Sequence, residues 1–205
     1  MVLGKLMQEG LKNIRVYLLL VLCFFTSPIG AANSSANTPE FERLLNLLDQ
    51  RLQLMKDVAA YKYANHMAIE NQQRETVVLA SVMASARPLE LDPATLKPFF
   101  RLQIEMAKKI QKSWIESWQS EGIAPTRQAL SADLKSDIRP ALLVLGAQLV
   151  EQLPLALPEL KSANNLDQFS KKVDATLTTH FVTPEMKREL LQSLLQIRQL
   201  APRDM

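Results

Sequence analysis

The sequence predicts an all-α protein. Glycine is scarce, with five in 205 residues, and no stretch alternates apolar and polar residues as a half-buried strand would. Three helix starts are marked by a capping residue followed by proline: Thr38-Pro39, Asp92-Pro93 and Thr183-Pro184. Apolar periodicity between these marks predicts about six helices.

Residues 1–32 stand apart from that pattern. Lys5, Lys12 and Arg15 form a positive segment, VYLLLVLCFF a short apolar run, and TSPIGAA supplies small residues for cleavage after Ala32. The run is too short for a comfortable membrane span, and no small residue precedes Cys23 as a lipid-attachment signal would need. The expectation is a cleaved export signal, with residues 33–205 as the mature domain in the periplasm or the medium; an uncleaved anchor is the competing possibility. Removing three basic residues and Glu9 leaves 21 basic against 20 acidic side chains, so the formal charge falls from +3 to +1. Nucleic-acid binding loses its support, because no basic run interleaved with aromatics remains. A membrane-surface protein would need a one-sided basic face, which this balance does not favour. Cys23 leaves with the leader, so no disulfide is expected, and the domain must rely on a hydrophobic core.

The first helix should run from about Pro39 to the mid-60s. At about 100° per residue, Leu44, Leu48, Leu52, Met55, Val58 and Ala59 share one narrow arc. Asn46, Asp49, Gln50, Gln53, Lys56 and Asp57 fall opposite. Arg51 and Lys62, eleven residues apart, lie inside the apolar arc. A long cation at the margin of such a stripe usually snorkels to water. These two are central, and burying a cation without a partner costs several kcal/mol. No acid of this helix shares their arc, so a distant acid or an anionic ligand must meet them.

HMAIENQQ is a weaker helix former and should break this helix. A shorter helix is expected over 72–85, ARPLELD is a connector, and a second long helix should cover 93–119. In that helix Leu96, Phe100, Ile104, Ile110, Trp114 and Trp118 define the apolar arc, with Lys97, Arg101, Glu105, Lys108, Lys109, Lys112 and Glu116 opposite. Gln103, Ala107 and Gln111 fall inside the arc, stacked four residues apart. Either glutamine can be a core amide; Gln111 can instead present its amide to a ligand. SEGIAPTRQALSADL should be the loosest region, followed by helices near 134–153, 166–179 and 184–199. His66 and His180 are isolated, so neither a metal site nor a cofactor is expected.

Arg51, Lys62, the pair Arg74-Glu75 and a later-helix Gln111, together with RLQLMKDVAAYKY and IENQQRE, resemble the AroQ-type all-helical chorismate mutases. The leader, the chain length and the basic segment DLKSDIRPAL are similar to the exported gamma subclass. The resemblance is strongest over residues 38–119, the core, with 120–205 as a C-terminal extension that completes a site within one chain. It implies an isomerase that rearranges chorismate to prephenate without cofactor or metal, and a homodimer. It further implies that Arg51, Arg74 and Arg139 bind the two carboxylates of chorismate. Lys62 and Gln111 would address the ether oxygen of the breaking bond, and Glu75 the ring hydroxyl. Pro140 places Arg139 at the start of its helix.

Two positions depart from the family pattern. Asn71 stands where an acid is common, and Ala107 where a hydroxyl is usual, so contacts there would fall to backbone groups. The residue types otherwise suit the chemistry. An intramolecular rearrangement needs no nucleophile. It needs a compact conformer held in place and negative charge on the ether oxygen stabilised. Guanidinium forks match carboxylates in two-point contacts. A neutral amide donates at any physiological pH, which predicts activity that is flat through neutrality. The competing function is a non-catalytic exported helical adaptor or small-anion binder, which would have no need of Lys62 and Gln111 alongside three arginines.

Overall fold

The computed structural model describes residues 39–161 and 166–200. The leader, its cleavage site, Cys23 and Thr38 lie outside the described residues. Among the described residues the regular elements are helical, with one isolated antiparallel bridge between Leu91 and Gln199.

Helix α1 (Glu40–Gln53) and helix α2 (Met55–Ala64) replace the single first helix that the periodicity predicts, with Leu54 at the junction. The interruption is slight: Leu54 keeps αR angles, and Val58 N donates to Leu54 O over 3.0 Å. The predicted apolar arc is the buried one, with Leu44, Leu48, Leu52, Met55, Val58 and Ala59 all in the core. Asp49 is a correction. It was placed on the polar face, but it is 6% exposed and accepts from Thr178 N (3.0 Å), Thr179 N (3.0 Å) and Thr179 Oγ1 (2.7 Å). A distant loop covers it, and a carboxylate that gathers these donors is compensated for leaving water.

Helix α3 (Gln72–Ala86) matches expectation, and the connector after it holds a 3₁₀ turn at Arg87–Leu89. Helix α4 (Pro93–Glu121) starts as predicted, with Asp92 Oδ1 accepting from Ala94 N over 2.9 Å. It ends at Gly122, whose φ of 64° supplies the left-handed cap. The loose region contains a short helix α5 (Arg127–Ser131) and a single π-helical turn, Leu134–Ile138.

Helix α6 (Arg139–Lys161) begins with Arg139 as expected but continues past 153, through Pro154 and Pro158. Each internal proline costs about 3 kcal/mol. Leu153, Ala156, Leu157 and Leu160 keep the helical period through this segment and are all buried. At about 1.5–3 kcal/mol per large apolar side chain, burying the three leucines is of the same size as the two breaks and offsets them. Helix α7 (Leu166–Thr176) stops short of 179 because the next backbone N–H groups go to Asp49. Helix α8 (Pro184–Leu195) starts with Thr183 Oγ1 capping Met186 N over 3.2 Å, as predicted, but ends before 199. Residues 197–200 instead run beside the 90–92 connector, with Asp92 N on Arg198 O (2.9 Å) and Leu200 N on Glu90 O (2.7 Å).

Helix α6 lies along α1, α4 packs against α2, and α3 is flanked by α4 and α6. The α7–α8 pair closes the other side, α7 on α1 and α8 on α4. A space is left where α1, α2, α3, α4 and α6 converge.

Candidate active site

That space is a cavity of about 330 Å³, within the range of small-molecule sites. All eight residues singled out in the sequence line it: Arg51, Lys62, Asn71, Arg74, Glu75, Ala107, Gln111 and Arg139. Its walls are mostly apolar, including Met55, Val58, Val78, Val82, Ile104 and Leu142.

Arg51 projects from the core face of α1 and is half-buried among its apolar neighbours. Its Nη1 donates to Leu142 O over 3.2 Å, and a Cβ on Gly146 would sit 3.9 Å from the same nitrogen. Burial first, and then the nearby Arg74, push its pKa down to about 10. Lys62 projects three turns further along the same face. Its Nζ donates to Ile69 O (2.7 Å) and to Gln111 Oε1 (2.9 Å), which leaves one N–H for a ligand. Burial and then Arg139 push its pKa down to about 8, against an upward pull from Glu75. Arg74 is also lowered, by burial and then by Arg139.

The neutral residues hold the charged ones in place. Asn71 caps α3, its Oδ1 accepting from Arg74 N over 2.8 Å. Gln111 is buried, at 5% exposure, and its Nε2 donates to Ala107 O over 3.1 Å. The backbone carbonyl of Ala107 thus orients the amide. Gln103 does not line the cavity; it is a core amide, and neither of its polar atoms meets a partner within the described residues. Trp114 and Trp118 stack on each other at 5.7 Å and do not line the cavity.

Periodicity placed Lys108 on the solvent face of α4, which is a second correction. Its aliphatic stem reaches the cavity rim and its Nζ lies 3.5 Å from Glu75 Oε1. No spacing rule could have found it, because the partner belongs to another helix.

Five cations and one carboxylate therefore line the cavity. Among the described residues, no carboxylate lies within ion-pair distance of Arg51, Lys62, Arg74 or Arg139. Desolvated cations set beside one another, as Arg51 and Lys62 are beside Arg74 and Arg139, favour an anion that enters the cavity. Residues 42–112, which carry seven of the eight positions, match the family model of chorismate mutase type II. That match covers about a third of the chain and includes the first, second, third and fourth helices' contributions to the cavity.

Relatives extend the likeness over more of the chain. A protein named secreted chorismate mutase from Yersinia pestis is 36% identical over 60% of this chain, an alignment that spans 63% of its own length. A monofunctional chorismate mutase from Enterobacter agglomerans is 28% identical over 87% of this chain and 96% of itself. The crystal structure of a secreted chorismate mutase from Yersinia pestis superposes with a TM-score of 0.62 at 28% identity, covering 77% of this chain and 97% of that one.

Proposed function

We propose that the chain is an exported chorismate mutase that rearranges chorismate to prephenate within the cavity of a single chain. One observation carries this: a closed set of unpaired cations faces an apolar cavity, with a neutral amide fixed beside the central lysine. Relatives bearing the secreted chorismate mutase name support both the activity and the export.

In this reading the arginines Arg51, Arg74 and Arg139 take the two carboxylates of chorismate. Fixing both carboxylates holds the substrate in the compact conformer from which the new bond forms, which removes much of the entropic barrier. As the C–O bond breaks, negative charge grows on the ether oxygen. Lys62 supplies the positive charge there, using the N–H that Ile69 and Gln111 leave over. Gln111 has two amide hydrogens: Nε2 donates to Ala107 O over 3.1 Å and makes a weak contact to Met55 Sδ at 3.5 Å, which the ether oxygen would displace as the stronger acceptor. Glu75 accepts from the ring hydroxyl. Asn71 and Ala107 contribute through what they orient, the first turn of α3 and the Gln111 amide.

Residues 1–32 serve as the export signal and are removed. The core at 38–119 supplies every charged group but Arg139, which the 120–205 extension brings from the same chain. A homodimer follows from the family resemblance. The experiment is direct: purified mature protein is added to chorismate and loss of the substrate's diene absorbance is followed. A rate above the spontaneous reaction is expected. No acceleration, with a dianionic analogue still binding, would instead identify the non-catalytic anion binder.

A further inference from the structure

Lys108 is the cavity cation to which the proposed roles give no task. It stands on α4 between Ala107 and Gln111, and its Nζ lies 2.7 Å from Glu105 Oε1 and 3.5 Å from Glu75 Oε1. Glu105 is on the outer side, with 55% of its side chain exposed, whereas Lys108 keeps 19%. The ammonium is thus tied from solvent by one carboxylate and reaches inward to another on a different helix. Among the described residues, Glu75 is the one acid that lines the cavity. Lys62 feels its charge, yet no ion pair joins the two.

We propose that Lys108 is a positioning residue: tethered by Glu105, it holds the Glu75 carboxylate at the cavity wall and off Lys62. Two consequences follow for the reaction, and both rest on the chorismate mutase reading. Glu75 keeps a fixed oxygen for the substrate's ring hydroxyl, and the Lys62 ammonium stays available to the ether oxygen. Without Lys108, the cations left to Glu75 in the cavity are Lys62, Arg74, Arg139 and Arg51. Attraction between opposite charges at contact would draw the freed carboxylate toward these cations. A glutamate has three side-chain torsions with which to follow that attraction. A Glu75–Lys62 pair would neutralise the cation that the transition state needs.

The test compares wild type, Lys108→Met and Lys108→Arg in kcat, KM and the pH profile of kcat/KM with chorismate. For Lys108→Met, kcat should fall by about tenfold to a hundredfold, the scale of a misplaced catalytic contact. Its basic limb should move to higher pH, because the released Glu75 now stabilises the Lys62 ammonium. Lys108→Arg should restore both. Glu105→Gln, at an exposed position where misfolding is not expected, should move both readouts the same way by less. Wild-type kcat in Lys108→Met, or a loss of kcat and Tm with the limb unmoved, would overturn the positioning role. A wild-type protein inactive on chorismate would overturn the functional reading instead, and the positioning role with it.

Discussion

Lys62 Nζ donates to Gln111 Oε1 over 2.9 Å, so the only neutral polar side chain of α4 in the cavity is bound to its most central cation. The amide serves both partners: its oxygen anchors the lysine, and its nitrogen can trade a weak 3.5 Å contact to Met55 Sδ for the ether oxygen. Gln111→Glu would retain the anchor as a carboxylate and lose the donor. We expect kcat at neutral pH to fall by about 10²–10³, and to recover as the pH drops and the new carboxyl takes up a proton. Rate profiles from about pH 4 to 9 for both proteins check this, and equal neutral rates would remove Gln111 from the chemistry.

Lys62 adds a basic limb to the flat profile that the amide alone predicts. With its pKa lowered to about 8, the ammonium is complete below about pH 7 and is lost as the pH rises through 8. kcat/KM should fall along that curve, since it reports the free enzyme. The limb in kcat should lie higher, because a bound dianion favours the charged lysine.

The same shift acts on stability in the opposite sense. A lysine lowered in the fold binds its proton more tightly once unfolded, so unfolding takes up a proton between about pH 8 and the ordinary lysine value of 10.5. From this group alone, the ligand-free protein should gain stability as the pH rises across that window. A dianionic transition-state analogue should remove part of the strain at neutral pH. At a hundred times its Kd the gain is about 2.7 kcal/mol, roughly 5–10 °C in Tm for a domain of this size. Thermal melts with and without analogue measure it, and no shift at saturation would argue against the cavity as the anion site.

Gln103 offers a prediction about the core. Its buried amide has no partner within the described residues, and an unsatisfied buried polar group costs about 1–3 kcal/mol. Gln103→Met keeps the volume and removes the cost. The midpoint of urea unfolding should rise with kcat unchanged, since the side chain does not line the cavity. A lower midpoint would mean that the amide has a structural partner.

Much of this molecule was legible as pattern. The buried stripe of α1 and α2, the caps at Asp92 and Thr183, and the start of α6 at Arg139 all follow from rules that act within one turn or one helix face. Arg51, Lys62 and Gln111 were visible for the same reason, as polar residues misplaced in apolar arcs. What escaped were contacts between segments far apart in the chain. Helix α6 runs through two prolines because its buried leucines offset the lost backbone bonds. Helices α7 and α8 stop early because Asp49 and the 90–92 connector take the next backbone groups.

The sequence by itself determined that two cations would be buried and that something anionic must meet them, because helical periodicity and the cost of desolvation are local facts. Only the tertiary structure decided that, among the described residues, no carboxylate answers Arg51, Lys62, Arg74 and Arg139, that Asp49 is buried and that Lys108 turns inward to Glu75. Those outcomes depend on which distant helix supplies the neighbour, and Coulomb and hydrogen-bond energies are set by distances across the fold rather than along the chain.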